Sequence, residues 1–244
     1  VGDYKILLIK LASKFLNRIL IFFLSLILKI DKNKSEIIIS NALLAPWKYN
    51  ENFIKNYEKI KEFTILDIRR LFTIWTYAES VKDLDGNILD LGCLNGGAGF
   101  LMSLENNKGN TYLFDTFDGY VDQEKFFNKG FKYTNSENVS NQIKKLKLEN
   151  TEVFKGIFPE CANHLASLGQ IKLCHFDLNT YNSTKNSFLF VKDRLIKNGI
   201  LIFDDYGTYG AEKIVDLVDE LKLEYVSDFN FFFNYQGQAI LIKK

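Results

Sequence analysis

Between residues 87 and 203, short apolar runs alternate with longer amphipathic stretches, and this alternation narrows the possible folds more than any other feature of the chain. Strand-length runs are read at 87–91, 111–114, 152–154, 171–176 and 199–203. The stretches between and after them carry helical periodicity at 97–105, 136–146, 184–197 and 211–221. Runs of Ile, Leu and Phe without polar alternation predict strands buried on both faces, as in a parallel sheet covered by helices. Two further runs, 224–227 and 239–242, flank Asn234-Tyr235-Gln236-Gly237 and predict a strand pair joined by a turn. The expected class is α/β: a Rossmann-like, mostly parallel seven-stranded sheet with an antiparallel C-terminal edge strand.

Ahead of the sheet, helical periodicity runs from Phe53 to Lys82 through Ile60, Leu71, Trp75 and Ala78, and Asp85-Gly86 marks a turn. Residues 33–52 are polar and mixed, with Pro46-Trp47 as punctuation, and read as a connector. The domain reading is therefore an amphipathic helical extension and connector over 1–52 and the α/β domain over 53–244. Residues 19–28 are apolar except for Ser25, with Arg18 and Lys29 at either end. A membrane span needs about 20 apolar residues, and no small-residue cleavage site follows. Lys10, Lys14 and Arg18 recur at helical spacing. That pattern suits an interfacial helix, or one packed on the domain or on a second subunit; packing is the preferred reading.

Residues 1–34 hold a net charge of +5 within a chain of net +1, so the remainder is acidic and nothing global points to nucleic acid. Three widely spaced cysteines and two histidines offer neither a disulfide framework nor a zinc site, and a reducing cytoplasm is expected.

Two predicted strands end in carboxylates. Residues 199–203 run into Asp204-Asp205-Tyr206-Gly207, and residues 171–176 run into Asp177. Adjacent carboxylates at the end of a buried strand resist joint ionisation unless a cation or hydrogen-bond donors compensate them. If both strands lie in one parallel sheet, three carboxylates meet at its C-terminal edge, an oxygen-only set suited to Mg²⁺, Ca²⁺ or Mn²⁺. Asp residues in such places also cap the helices that follow, so from the residues alone both readings stand.

The first strand leads into Asp90-Leu91-Gly92-Cys93-Leu94-Asn95-Gly96-Gly97, whose glycines let the backbone turn sharply and approach a ligand. Close packing of helix on strand would use the same glycines. Asp115, about 20 residues beyond this turn, is placed to hold a ribose diol. Turn and acid together point to a nucleoside cofactor, NAD or S-adenosylmethionine. A DxGxxxGG turn, with no pyrophosphate to cradle, favours the latter.

From about Phe53 to the C-terminus these segments resemble the macrocin O-methyltransferase (TylF-type) family of S-adenosylmethionine-dependent sugar O-methyltransferases. Thr64 with Arg70-Leu71 resembles its helical entry segment, and Asp90-Leu91-Gly92 through Gly96-Gly97 its cofactor turn. Asp115-Thr116-Phe117-Asp118-Gly119 and Lys155-Gly156-Ile157-Phe158-Pro159 resemble its segments after the second and third strands. Asp177-Leu178-Asn179-Thr180-Tyr181-Asn182-Ser183-Thr184 resembles Asp-x-Asp-x-Tyr-x-Ser-Thr, and Asp204-Asp205-Tyr206 its Asp-Asp-Tyr. The resemblance implies a class I methyltransferase fold. It implies S-adenosylmethionine held by Asp90, Gly92, Gly96, Gly97, Asp115, Thr116, Phe117 and Gly156. It also implies a divalent cation, usually Mg²⁺, on Asp177, Asp204 and Asp205 as the catalytic set. Asn179 stands where the family has a second acid, keeping an oxygen but losing a charge, and Glu160-Cys161 replaces Asp-Thr. Residues 1–52 lie outside the resemblance.

The implied reaction is methyl transfer to a sugar hydroxyl of a glycan or glycosylated metabolite. A divalent cation lowers the hydroxyl's pKa and orients it, and in-line attack on the sulfonium methyl depends on alignment. Asp177 could serve as both ligand and base. His175, on Asp177's side of its strand, is expected as a satisfied core histidine and His164 as a surface or capping residue. Tyr181 and Tyr206 are expected in packing or substrate contact. Residues 123–135, with Phe126, Phe127, Phe131 and Tyr133, form either a lid over the sugar or a surface insertion. Thr180 occupies the place of a lysine in catechol-type relatives, which argues against the alternative of a phenolic acceptor. A non-catalytic nucleoside-binding domain is the other alternative, and the carboxylate trio disfavours it. The expected partners are a sugar-containing acceptor, a membrane surface met peripherally through residues 1–34, and further copies of the chain in a homo-oligomer. The expected location is cytoplasmic, with or without membrane association.

Overall fold

The structure is a computed structural model describing residues 2–28, 44–120, 134–163, 165 and 168–244, with side chains in the first segment described for 8 and 11–27. The chain divides into two compact units, Val1–Tyr49 and Asn50–Lys244. The first contains α1 (Gly2–Leu28) and a 3-10 turn at Pro46–Tyr49. Apolar side chains along α1 are exposed, among them Leu11, Phe15, Phe23, Leu26 and Ile27. Among the described residues, no helix is long and apolar enough to cross a membrane.

In the second unit, β1 (Asn87–Leu91), β2 (Thr111–Asp115), β3 (Thr151–Lys155), β4 (Ile171–Phe176), β5 (Leu195–Phe203), β6 (Phe229–Asn234) and β7 (Gln238–Lys243) form one sheet. Its order is β3-β2-β1-β4-β5-β7-β6. β1 to β5 are parallel, and β7 lies antiparallel between β5 and β6. The chain starts at the centre, moves out through β2 and β3, and returns to β4. That places a topological switch point between β1 and β4, where open α/β sheets bind ligands. Leu89, Leu91, Cys174, Phe176, Leu201 and Phe203 face one core; Ile88, Leu173, Ile200 and Ile202 face the other. This alternation fills both sides and explains the unbroken apolar runs.

Three sequence expectations need correction. The periodicity over 53–82 is two helices, α2 (Glu51–Ile60) and α3 (Ile68–Val81), with a 3-10 turn at Lys61–Phe63 between them. Asn50 and Asp67 cap them through their side chains, accepting from Phe53 N and from Arg69 N and Arg70 N respectively. A cap acts on the next turn whatever the longer periodicity says. After α4 (Gly97–Glu105) and α5 (Ser136–Leu146), α6 spans Tyr181–Lys192 and β5 already opens at Leu195. The register against β4 shifts between Ile171 and Leu173, which admits Asn198 at φ 61 within the strand. Finally, 224–227 is no strand: Glu224 ends α7 (Glu212–Glu224), and β6 begins at Phe229. Phe126, Phe127, Phe131, Tyr133 and His164 lie outside the described residues.

Candidate active site

The carboxyl ends of β1, β4 and β5 are tied at one height. Asp177 N donates to Leu91 O at 2.8 Å, and Asp204 N to Phe176 O at 2.9 Å. Register sets Asp90 beside His175 and His175 beside Ile202. Two residues further along, Gly92, Asp177 and Asp204 form the next rank on the same face. Gly92 has φ 88, and a Cβ there would overlap the Asp177 carbonyl oxygen, so the rank closes only with glycine.

This edge opens into a cavity of about 480 Å³ walled by Asp90, Gly92, Gly97, Asp115, Thr116 and Gly156 together with Asp177, Asn179, Asp204 and Asp205. The volume lies within the range of small-molecule sites. Gly96 and Phe117 are not in the wall. Gly96 turns the chain into α4 at φ 88 against the Phe100 ring, and Phe117 is buried. Gly97 lines the cavity and also packs, since a Cβ on it would strike Thr64.

Asp115 organises the glycine-turn side of the cavity. Its carboxylate accepts from Leu94 N at 2.8 Å and Phe117 N at 2.7 Å. Leu94 and Phe117 stand at φ 47 and 55, a region that bulky residues avoid. One carboxylate therefore holds two strained turns together. Burial raises its pKa, and the two N–H groups draw it part of the way back.

The carboxylate side is organised by Arg70. The Asp67 cap starts α3 so that Arg70 falls in its first turn. From there Nη1 reaches Asp204 Oδ2 at 2.9 Å and Asp205 Oδ1 at 3.2 Å. Nε donates to Gln236 O at 2.9 Å and Nη2 to Thr208 Oγ1 at 3.1 Å. Asp204 Oδ1 is buried without a partner. Burial, then the charges of Asp204 and Asp205, push Asp177 well above the usual carboxylate range. Asn179, at φ 61, donates its amide to Asp177 O and Oδ1 at 3.4 Å each, a contact that an acid in its place would not make.

Asp177, Asp204 and Asp205 thus share one cavity, as the sequence predicts, but with a guanidinium between helix and strand as their compensating cation. Among the described residues no three His, Cys, Asp or Glu are gathered closely enough to hold a metal. Their chemistry still fits a hard divalent cation: three carboxylates border one space, and one buried oxygen lacks a donor.

His175 departs from the expected satisfied core residue. Its Nδ1 lies 2.8 Å from Asp90 Oδ1, but Nε2 and Asp90 Oδ2 are buried without partners at the cavity wall. Burial opposes the imidazolium, yet the hydrogen bond and charge of Asp90 outweigh it and raise the pKa to about 9. Tyr206 donates to Asp219 at 3.2 Å, and Tyr181 pairs with Glu220, so both hydroxyls engage α7. Cys93 and Cys174 are buried and free. The sequence singled out Arg70 only within the entry segment and missed Thr208 and Gln236. Their meeting joins three distant parts of the chain, which no local pattern reports.

Solved structures share this fold. The O-methyltransferase NovP aligns at 18% identity over 75% of this chain and 82% of its own, with a TM-score of 0.64. CalS11, a calicheamicin methyltransferase, aligns at 15% identity over 82% of this chain and 94% of its own, TM-score 0.58. An O-methyltransferase from Bacillus cereus in complex with SAH aligns at 12% over 80% and 90%, TM-score 0.56. No curated protein sequence matches the chain. The sequence model of the macrocin O-methyltransferase (TylF) family matches residues 60–224, which span the Asp90–Gly97 turn and all three carboxylates, and the chain belongs to that family.

Proposed function

We propose that the protein transfers a methyl group from S-adenosylmethionine to a sugar hydroxyl of a glycan or glycosylated metabolite, with a divalent cation, Mg²⁺, on Asp177, Asp204 and Asp205. The observation that carries this reading is the convergence of the Asp90–Gly97 turn, Asp115 and the three carboxylates on one cavity. Asp115 holds the ribose side of the cofactor, and Thr116 and Gly156 border it. The cation, when bound, supplies Lewis acidity toward the acceptor hydroxyl. Asp177, on the cavity wall beside Asp204 and Asp205, takes the hydroxyl proton. Arg70 pairs with Asp204 and Asp205 and fixes their direction. Phe63, Leu66, Phe114, Phe158 and Leu178 supply the apolar part of the lining, and alignment of the hydroxyl with the sulfonium methyl governs the rate.

Calorimetric titration with S-adenosylmethionine and S-adenosylhomocysteine tests the cofactor; binding of neither refutes the reading. Nucleotide sugars and glycans screened with methyl-labelled S-adenosylmethionine test the acceptor, and labelling of phenols alone would move the assignment to them. Activity undiminished by EDTA would remove the cation and leave Arg70 as the resident charge.

For residues 1–34 we propose peripheral contact with an anionic membrane surface. The exposed apolar side chains of α1 support it, interleaved with Lys14 and Arg18. Co-sedimentation with phosphatidylserine-containing vesicles should be lost on deletion of residues 1–34; binding unchanged by the deletion refutes it.

A further inference from the structure

The two edges of the sheet are unlike. β3, at one edge, carries exposed Glu152 and Lys155, charges of the kind that guard an edge against pairing. β6, at the other, reads Phe-Asn-Phe-Phe-Phe-Asn, without charge, proline or glycine. Among the described residues its outer side pairs with no strand. Phe232 and Phe233 are 52% and 62% exposed, and Tyr235, just beyond, is 73% exposed. Such a strand is a template for another.

We infer that β6 pairs antiparallel with β6 of a second copy of this chain, about a two-fold axis through Phe232. The sequence is self-complementary in that one register. Phe232 opposes itself, Phe231 meets Phe233, Asn230 meets Asn234, and Phe229 meets Tyr235. Aromatic stands opposite aromatic at Phe232, at Phe231–Phe233 and, just past the strand end, at Phe229–Tyr235, the pairing that stabilises antiparallel neighbours. Exposed Asn230 lies opposite Asn234, whose own amide is held within its chain by Thr73 and Gln238. Centring on Phe231 or Phe233 sets Phe232 against an asparagine, and centring between Phe231 and Phe232 sets two Asn–Phe mismatches. The contact is isologous, so it closes at two copies and consumes both unguarded edges. Antiparallel joining reverses one sheet relative to the other. The two methyl-transfer cavities therefore open at opposite edges of the joined sheet, and neither is covered. Half-exposed rings bury on the order of 100 Å² each. The seam thus falls at or below the roughly 1,200 Å² of standard interfaces, and a concentration-dependent dimer follows.

Sedimentation velocity of the full chain across micromolar concentrations should show monomer and dimer in exchange. Phe232→Glu and Phe232→Lys should each be monomeric, because the axis sets like charges opposite one another. Mixing the two should restore a dimer, because it sets opposite charges there. Phe232→Cys, mildly oxidised, should give a disulfide-linked dimer that the unsubstituted protein does not form; this variant keeps the test open if a charged one misfolds. A wild-type chain that stays monomeric, a dimer that survives Phe232→Glu, or a mixture that stays monomeric overturns the inference.

Discussion

Replacing Arg70 with methionine keeps most of the side chain's length and removes its charge from the carboxylate cluster. In the native structure Arg70 donates to the carboxylates of Asp204 and Asp205 and to two neutral acceptors, Gln236 O and Thr208 Oγ1. The Asp204 side chain is 1% exposed and that of Arg70 18%, so the pair is largely desolvated. Removing one partner of a buried pair costs about 3–5 kcal/mol. Water can enter the adjoining cavity where the guanidinium stood, which sets the expected loss near the lower end, about 3 kcal/mol. With m of about 2–3 kcal/mol/M, the urea midpoint should fall by roughly 1–1.5 M at neutral pH. The penalty should also depend on pH. Burial already holds Asp204 above its ordinary carboxylate value, against the lowering effects of His175 and Arg70, and losing Arg70 raises it further. A carboxylate whose folded pKa exceeds its unfolded value binds more protons in the native state, so its stability falls as pH rises through that window. The difference between wild type and Arg70→Met should therefore be small in acid and open toward neutrality. Arg70→Lys, which keeps one charge but not the fork, should fall between them. Urea unfolding across this pH range is the assay. A loss under about 1 kcal/mol at neutral pH, or a difference that does not change with pH, refutes this account of the cluster.

Other perturbations act on separate parts of the fold. Lys172, fully buried at the amino end of the sheet, donates to Lys82 O, Leu84 O and Lys108 O at 3.1, 2.9 and 2.7 Å. Lys172→Met should cost about 2 kcal/mol in chemical unfolding while leaving S-adenosylhomocysteine affinity unchanged. Burial lowers the Lys172 pKa from 10.5 to about 8, so the unfolded chain binds the extra proton between those values. Wild-type stability should accordingly rise with pH across that window, and the variant should lack the rise. Asp115→Asn, which leaves Leu94 N and Phe117 N with at most one acceptor, should weaken S-adenosylhomocysteine binding about tenfold by calorimetry, near 1.4 kcal/mol. Gly92→Ala, with a methyl forced onto the Asp177 carbonyl at positive φ, should lower stability by more than about 2 kcal/mol, read as a fall in the thermal midpoint.

The α/β class and the presence of the carboxylates at strand ends were legible because each rests on neighbours in sequence. An apolar run of strand length and a carboxylate closing it are local patterns. Where two local signals competed, the longer periodicity misled. The apolar spacing across 61–67 hides the break that Asp67 imposes, and the helical end of α7 displaced the reading of β6 from Phe229–Asn234 to 224–227. From the sequence Asn179 keeps an oxygen and loses a charge relative to an acid, whereas in the structure its amide nitrogen donates to Asp177.

The sequence by itself determined the alternation of strands and helices, the glycine turn, and the identity of the acids that border the cavity, since side-chain periodicity and turn chemistry act within a few residues. Only the tertiary structure decided the strand order, the Asp90–His175 pair, and the meeting of Arg70 with Asp204, Asp205, Thr208 and Gln236. Those contacts join residues far apart in the chain. They exist because packing both faces of one sheet fixes which strand ends lie side by side, and no local preference carries that information.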